Sequence, residues 1–280
     1  MKGERGYISI MAIWIAAILI VMASGLVLFV QFNQRAVKNY SNRIKAFYTA
    51  KAGMNEVTFY IHRNESNREK VNTEAGLTEV SNTYQNVKFG DGSYSAVLED
   101  EKSRANLNTA SENLIKSILN LIKVNDSDRK ARAIIKWRRE NGYFLNVEEL
   151  GLISDLDVND CFILMPYFTV YSNGLSHTLN VNTASKVVLQ TYFNEFKAPA
   201  KITDQIMARR PFKGAEVWSF IKKRAPSLSD SMVRYFTYSA PLHRLKVTAT
   251  VGSSTVVLNS IVEQWKEGHE TINVKDWWEE

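Results

Sequence analysis

Few side chains in this sequence are spaced for chemistry. The best candidate set is Asp155-x-Asp157-x-x-Asp160 with Asn159 between, an oxygen-rich run of the kind that holds calcium. His62, His177, His243 and His269 show no metal-ligand spacing. The single cysteine, Cys161, excludes an intramolecular disulfide; within Cys161-Phe162-Ile163-Leu164-Met165 it reads as a buried thiol, not a nucleophile. There is no phosphate-binding glycine loop, no Gly-x-Ser-x-Gly elbow and no locally supported Cys-His pair. The chain is expected not to be an enzyme and to carry no cofactor unless calcium binds at Asp155, Asp157 and Asp160.

The polar residues that do recur form a repeat. Asn106-Leu107-Asn108-Thr109-Ala110-Ser111 returns as Asn180-Val181-Asn182-Thr183-Ala184-Ser185. Each copy precedes an apolar helical pattern, then a helix ending in paired arginines, Arg138-Arg139 and Arg209-Arg210, then a phenylalanine, Phe144 or Phe212, and an acidic helix start. Thr and Asn can accept from the free N–H groups of a helix start, and Thr109-x-x-Glu112 has the spacing of a capping box. The paired arginines form a basic patch or complement the helix dipole. Two related helical bundles are expected, at about 106–168 and 180–238.

These bundles need a frame. From Tyr7 to Val30 there is no Asp, Glu, Lys, Arg or His, an uninterrupted apolar run that spans a bilayer as a helix. A short leader ending in Gly6 precedes it, and no small-residue cleavage site follows it. Beyond Val30 the apolar residues take a helical period, Val37, Tyr40, Ile44, Phe47, Tyr48, Val57 and Ile61, between Arg35, Lys38, Arg43, Lys45 and Lys51. One continuous helix is expected to begin lipid-bound and to finish with this stripe against a soluble head. Gly25 and Gly53 are its weak points.

The head reads as a sheet. Tyr84–Phe89, Gly90-Asp91-Gly92 and Ser93–Glu99 form a hairpin signal. Leu245, Val247, Ala249 and Val251 alternate with polar residues, Gly252-Ser253-Ser254 turns, and Thr255–Val262 returns. Strands on either side of a helical stretch imply an insertion in one small α+β domain. Segment 62–82 reads as a mobile polar connection. With 280 residues, 45% of them hydrophobic, there is material for one or two cores. The net charge of +6 lies largely beside the apolar helix, where basic residues meet acidic headgroups or solvent.

The Asn-x-Asn-Thr-Ala repeat resembles helix-hairpin-helix domains, which often bind DNA through a glycine-rich turn. The corresponding segments, Lys123–Asp128 and Asn194–Ala200, contain no glycine, so nucleic acid is not the expected partner.

The order of features from Tyr7 to about Gln264 resembles the K-type minor pseudopilins of type II secretion systems and the related tip minor pilins of type IV pili. The resemblance is carried by Gly6-Tyr7, by Ser93–Glu101 running into Asn106-Leu107-Asn108, by Asn180–Ala184 and by the closing strands. It implies an α+β, pilin-like fold: a long transmembrane and spine helix on a small antiparallel sheet, with a large insertion of two helix-hairpin-helix-like (SAM-like) bundles. It implies a leader at 1–6 cut after Gly6 to expose Tyr7, a membrane segment at 7–30, spine and first strands at 31–105, the insertion at 106–240, and closing strands with an acidic, aromatic tail at 241–280. Acidic residues common in the family beside the equivalent of Trp137 are replaced here by Lys136 and Arg138. Most pilins carry glutamate as the fifth residue after the cut, set against the neighbouring subunit's N-terminal amine. Met11 holds that position here.

The implied role is assembly. A tip subunit would join other minor pseudopilins or pilins and the major subunit, after the prepilin peptidase and with the inner-membrane assembly platform. It would be a single-pass protein of the cytoplasmic membrane with its head outside the cytoplasm, then sit at the fibre tip. The alternative is a membrane-anchored helix-hairpin-helix receptor for DNA uptake.

Overall fold

The computed structural model describes residues 4–63, 83–172, 178–238, 242–267 and 269–280. The connection expected at 62–82 lies, beyond Arg63, outside the described residues. A single helix, α1 (Glu4–Arg63), runs 60 residues without a break at Gly25 or Gly53. At 1.5 Å per residue that is about 90 Å.

Its second half packs on a five-stranded antiparallel sheet. The strands are β1 (Thr83–Phe89), β2 (Gly92–Asp100), β7 (Leu242–Val251), β8 (Ser254–Glu267) and β9 (His269–Glu279), in the order β1-β2-β7-β8-β9. Both expected hairpins form, with Val87 opposite Tyr94 across β1 and β2 and Val247 opposite Leu258 across β7 and β8, and Tyr94 opposite Ala249 joins the two. Gly90 takes φ +55° in the first turn, a conformation open to glycine at little cost.

The helix face on the sheet is only partly the expected one: Val57 is buried, and Phe47 and Ile61 pack partly buried against the same core. Ala46, Thr49, Ala50, Met54 and Val57 are buried, whereas Val37, Tyr40, Ile44 and Tyr48 are exposed on the opposite side. Small residues win because they let the helix approach closely. A Cβ on Gly53 would stand 2.7 Å from the Tyr94 ring, and the Tyr94 hydroxyl donates to Glu56 Oε2 at 2.7 Å. The core of this layer joins Ala46, Ala50, Met54 and Val57 to Tyr94, Leu245, Val247, Ala249 and Leu258.

The stretch read as an acidic, aromatic tail is a further strand. β9 pairs along β8, placing Trp277 beside Ser260 and Trp278 beside Asn259. As an edge strand with Val274, Asp276 and Trp277 all exposed, it lacks the clean alternation that marks a half-buried strand.

Between β2 and β7 the chain makes two helical units of the same plan. The first holds β3 (Ala105–Asn106), α2 (Glu112–Leu121), α3 (Ser127–Asn141), a 3₁₀ turn at Val147–Leu152, α4 (Val158–Leu164) and β4 (Phe168–Thr169). The second holds β5 (Leu179–Asn180), α5 (Lys186–Glu195), α6 (Ile202–Arg209), α7 (Glu216–Arg224), α8 (Asp230–Arg234) and β6 (Phe236–Thr237). Each is closed by a two-residue parallel pair, β3 with β4 and β5 with β6. The units share one apolar core rather than two, and α2 packs on α5.

Candidate assembly surface and the junction of the head

The first half of α1 is an unburied apolar rod. Every described side chain from Ile10 to Val30 is exposed, and Met11 is 53% exposed. Gly6 and Tyr7 lie in its first turns. The helix is long and apolar enough here to cross a membrane.

The recurring asparagines hold the helical units together. Asn106 Oδ1 accepts from Asn108 N at 2.8 Å, and Asn180 Oδ1 accepts from Asn182 N at 3.0 Å. Asn108 then clamps Phe144 from both sides, accepting from its N–H at 2.8 Å and donating to its carbonyl at 2.9 Å. Asn182 does the same to Phe212, at 2.8 and 3.0 Å. The expected Thr109 cap is not formed. Ser111 caps α2 by accepting from Leu114 N, and Ser185 caps α5 by accepting from Val188 N. The Asn106 turn runs on to Ala110, whose N–H bonds the Asn106 carbonyl, so the cap falls two residues later. Thr109 is exposed, and Thr183 donates to Asp100.

The arginine pairs are divided between inside and outside, so the four do not form the basic patch that was one of the two expected roles. Arg138 donates to the carbonyls of Leu107 and Ala110 at 2.6 and 3.0 Å. Arg210 donates to the Ala184 carbonyl at 2.6 Å, and burial lowers its pKa to about 10. Arg139 and Arg209 face solvent. Each hairpin after the first helix places a lysine in the left-handed region, Lys123 at φ 61° and Lys197 at φ 54°, where helix-hairpin-helix turns use glycine. The hairpin geometry is kept, and side chains stand where phosphate would approach a bare backbone.

The three candidate calcium ligands serve other partners. Asp157 caps α4 in a reciprocal capping box with Asp160. Asp160 also holds buried Lys130 at 2.6 Å, and Asp155 pairs with Arg129. Burial, the largest influence, pushes the Asp160 carboxyl up; hydrogen bonds from Lys130 and the Asp157 amide, with the Lys130 and Arg129 charges, outweigh it and hold it below the usual carboxylate range. Among the described residues no group of three or more His, Cys, Asp or Glu is placed to hold a metal. Cys161 is a buried thiol whose pKa burial raises.

Sequence reading assigned no role to the turn that joins sheet to insertion. Asp100, Glu101 and Lys102 are all buried there. Asp100 accepts from Lys102 N, from Asn180 Nδ2 at 2.7 Å and from Thr183 Oγ1, so it grips the second unit. Glu101, fully buried, accepts from Thr169 Oγ1 of the first unit and from Arg244 Nε of β7 at 2.6 Å. Lys102 Nζ donates to Thr178 Oγ1 at 2.7 Å. Burial dominates at Asp100 and raises its pKa despite these donors. One turn thus fixes sheet, first unit and second unit relative to each other. A second repeat, Tyr167-Phe168-Thr169 and Tyr235-Phe236-Thr237, marks the closing strands and was available in the sequence as a signal.

Residues 100–161 match the helix-hairpin-helix motif family. No curated protein matches the sequence. A chain of the GspK-GspI-GspJ complex from the enterotoxigenic Escherichia coli type 2 secretion system has a similar structure, with a TM-score of 0.64 at 13% identity, covering 89% of this chain and 99% of that one. At that identity the likeness is one of fold: a pilin-like α+β architecture with a helical insertion.

Proposed function

We propose that this protein is a non-enzymatic minor pilin or pseudopilin that joins a tip complex and initiates assembly of a type II secretion pseudopilus or a type IV pilus. The observation that carries the reading is α1 itself. An exposed apolar rod continues without a break into a helix face sealed by a sheet, which supports a head carried on a membrane-inserted shaft. The structural likeness to a complex of pseudopilins supports other minor subunits as partners. The major subunit, the assembly platform and a peptidase acting between Gly6 and Tyr7 complete the scheme. The protein starts as a single-pass protein of the cytoplasmic membrane and ends at the fibre tip.

Met11 gives this role a physical reason. A buried, unpaired ammonium costs several kcal/mol, and a methionine offers the amine of a neighbouring subunit no partner. A subunit built this way is poorly suited to follow another but can come first. The large insertion points the same way, since repeated packing of such a head along a shaft would be hindered. N-terminal sequencing of the membrane-extracted protein should begin at Tyr7; a start at Met1 or beyond Val30 overturns the reading.

The helix-hairpin-helix match favours one second reading, a membrane-anchored DNA receptor. Lys123 and Lys197 at the turn positions, and the inward Arg138 and Arg210, argue against phosphate binding in the usual mode of that motif.

A further inference from the structure

The outer face of α3 carries a charge pattern that the fold does not explain. Arg132, Lys136 and Arg139 follow one another at i, i+4 and i+7, so they stand in a row on one side of the helix. All three are exposed, and none has an ion pair or hydrogen bond among the described residues. Arg129, one turn earlier on the same face, is already neutralised by Asp126 and Asp155. Like charges at these spacings repel and weaken the helix that bears them.

The second unit supplies an internal control. Arg138 and Arg210 occupy matching places, because each bonds the carbonyl of the matching alanine, Ala110 or Ala184. In that register the buried Ile134 matches the buried Ile206. Arg132, Lys136 and Arg139 then match Asp204, Ala208 and Pro211. The two units keep the asparagine clamp, the serine cap, the left-handed lysine and the inward arginine, yet only the first keeps the row of cations. The row is an addition to the plan, not a requirement of it.

The row borders a groove of about 370 Å³ whose lining also includes Ala133, Ile135, Glu112 and Asp155. We infer that this groove is a docking site for an acidic polypeptide segment carrying an apolar side chain between its carboxylates. The three free cations pair with carboxylates, the arginines through two parallel hydrogen bonds each. Ala133 and Ile135 provide an apolar floor that a sugar-phosphate backbone does not need. Asp155 is already paired with Arg129, so the unpaired positive charge is confined to the short row of three, a poor match for duplex DNA with one phosphate charge every ~1.7 Å of axis. The inference is independent of the assembly reading, because it concerns a surface of the insertion.

The test uses the full chain in detergent micelles and fluorescence anisotropy at low salt. The probes are a short fluorescein-labelled peptide of Leu-Glu-Glu repeats, its Leu-Gln-Gln counterpart and a short duplex DNA. The acidic peptide should bind and the glutamine peptide should not. Combined Arg132→Gln, Lys136→Gln and Arg139→Gln should weaken acidic-peptide binding by about tenfold or more, from three modest exposed pairs acting together. Lys186→Gln with Lys201→Gln on the second unit should leave it unchanged. Absence of acidic-peptide binding, or equal binding by the triple variant, overturns the inference. Tighter binding of duplex DNA through the same three residues also overturns it, naming nucleic acid as the occupant.

Discussion

At the scale of single residues, Asp160 acts as the counter-ion of a buried lysine. Its oxygens hold Lys130 Nζ at 2.6–2.7 Å, and both side chains are buried. Replacing one partner of a buried pair leaves the other charge uncompensated, which costs about 3–5 kcal/mol. Asp160→Asn should therefore lower the unfolding free energy by about 3 kcal/mol at neutral pH. The folded pKa lies below the unfolded value of about 3.9, so the unfolded chain binds the extra proton between the two. The contribution is whole above about pH 5 and is lost as pH falls through the lowered folded value. Denaturant titrations across that range should show a steeper acid loss in the natural chain than in Asp160→Asn; parallel curves would show that the pair contributes nothing. Legibility at this scale followed distance along the chain. The asparagine repeat was visible because it occurs twice, and its serine caps stand within a few residues of it. The Asp100 turn was not, because its partners Asn180 and Thr183 are 80 and 83 residues away.

At the scale of elements, the two hairpins and the long helix were readable, since turn glycines and strict alternation are local signals. Of the expected spine stripe, Phe47, Val57 and Ile61 face the sheet core but Val37, Tyr40, Ile44 and Tyr48 do not, because hydrophobic periodicity weights large side chains, whereas close helix-to-sheet approach selects Ala46, Ala50 and Gly53. That error defines an experiment. Gly53→Ala gains up to about 1 kcal/mol of helix propensity but drives a methyl into the Tyr94 ring, and overpacking typically costs about 1–3 kcal/mol. The variant head should unfold at lower denaturant, by a net of up to about 2 kcal/mol once the propensity gain is taken off. Gly25→Ala, with no atom within 4 Å of its added carbon, should leave the head's midpoint where it was. A stabilised Gly53→Ala would mean that α1 sits further from β2 than described. β9 escaped sequence reading for a related reason. An edge strand with exposed residues on both faces carries little period-two signal.

At the scale of the whole molecule, the Asp100–Lys102 turn makes the sheet and both helical units one head, and α1 connects that head to an apolar shaft. The architecture was legible as an order of features: apolar run, spine, hairpin, duplicated insertion, closing hairpin. The sharing of one core by the two units was not, because each apolar pattern reads equally well as a core of its own. A rigid, bulky head on a shaft that lacks a carboxylate at Met11 should occupy the first position in a fibre and no later one. The central claim is tested most directly by immunogold labelling of isolated fibres with an antibody to this head. The account predicts label at one end of each fibre, about one copy per fibre. Label distributed along the shaft would contradict it.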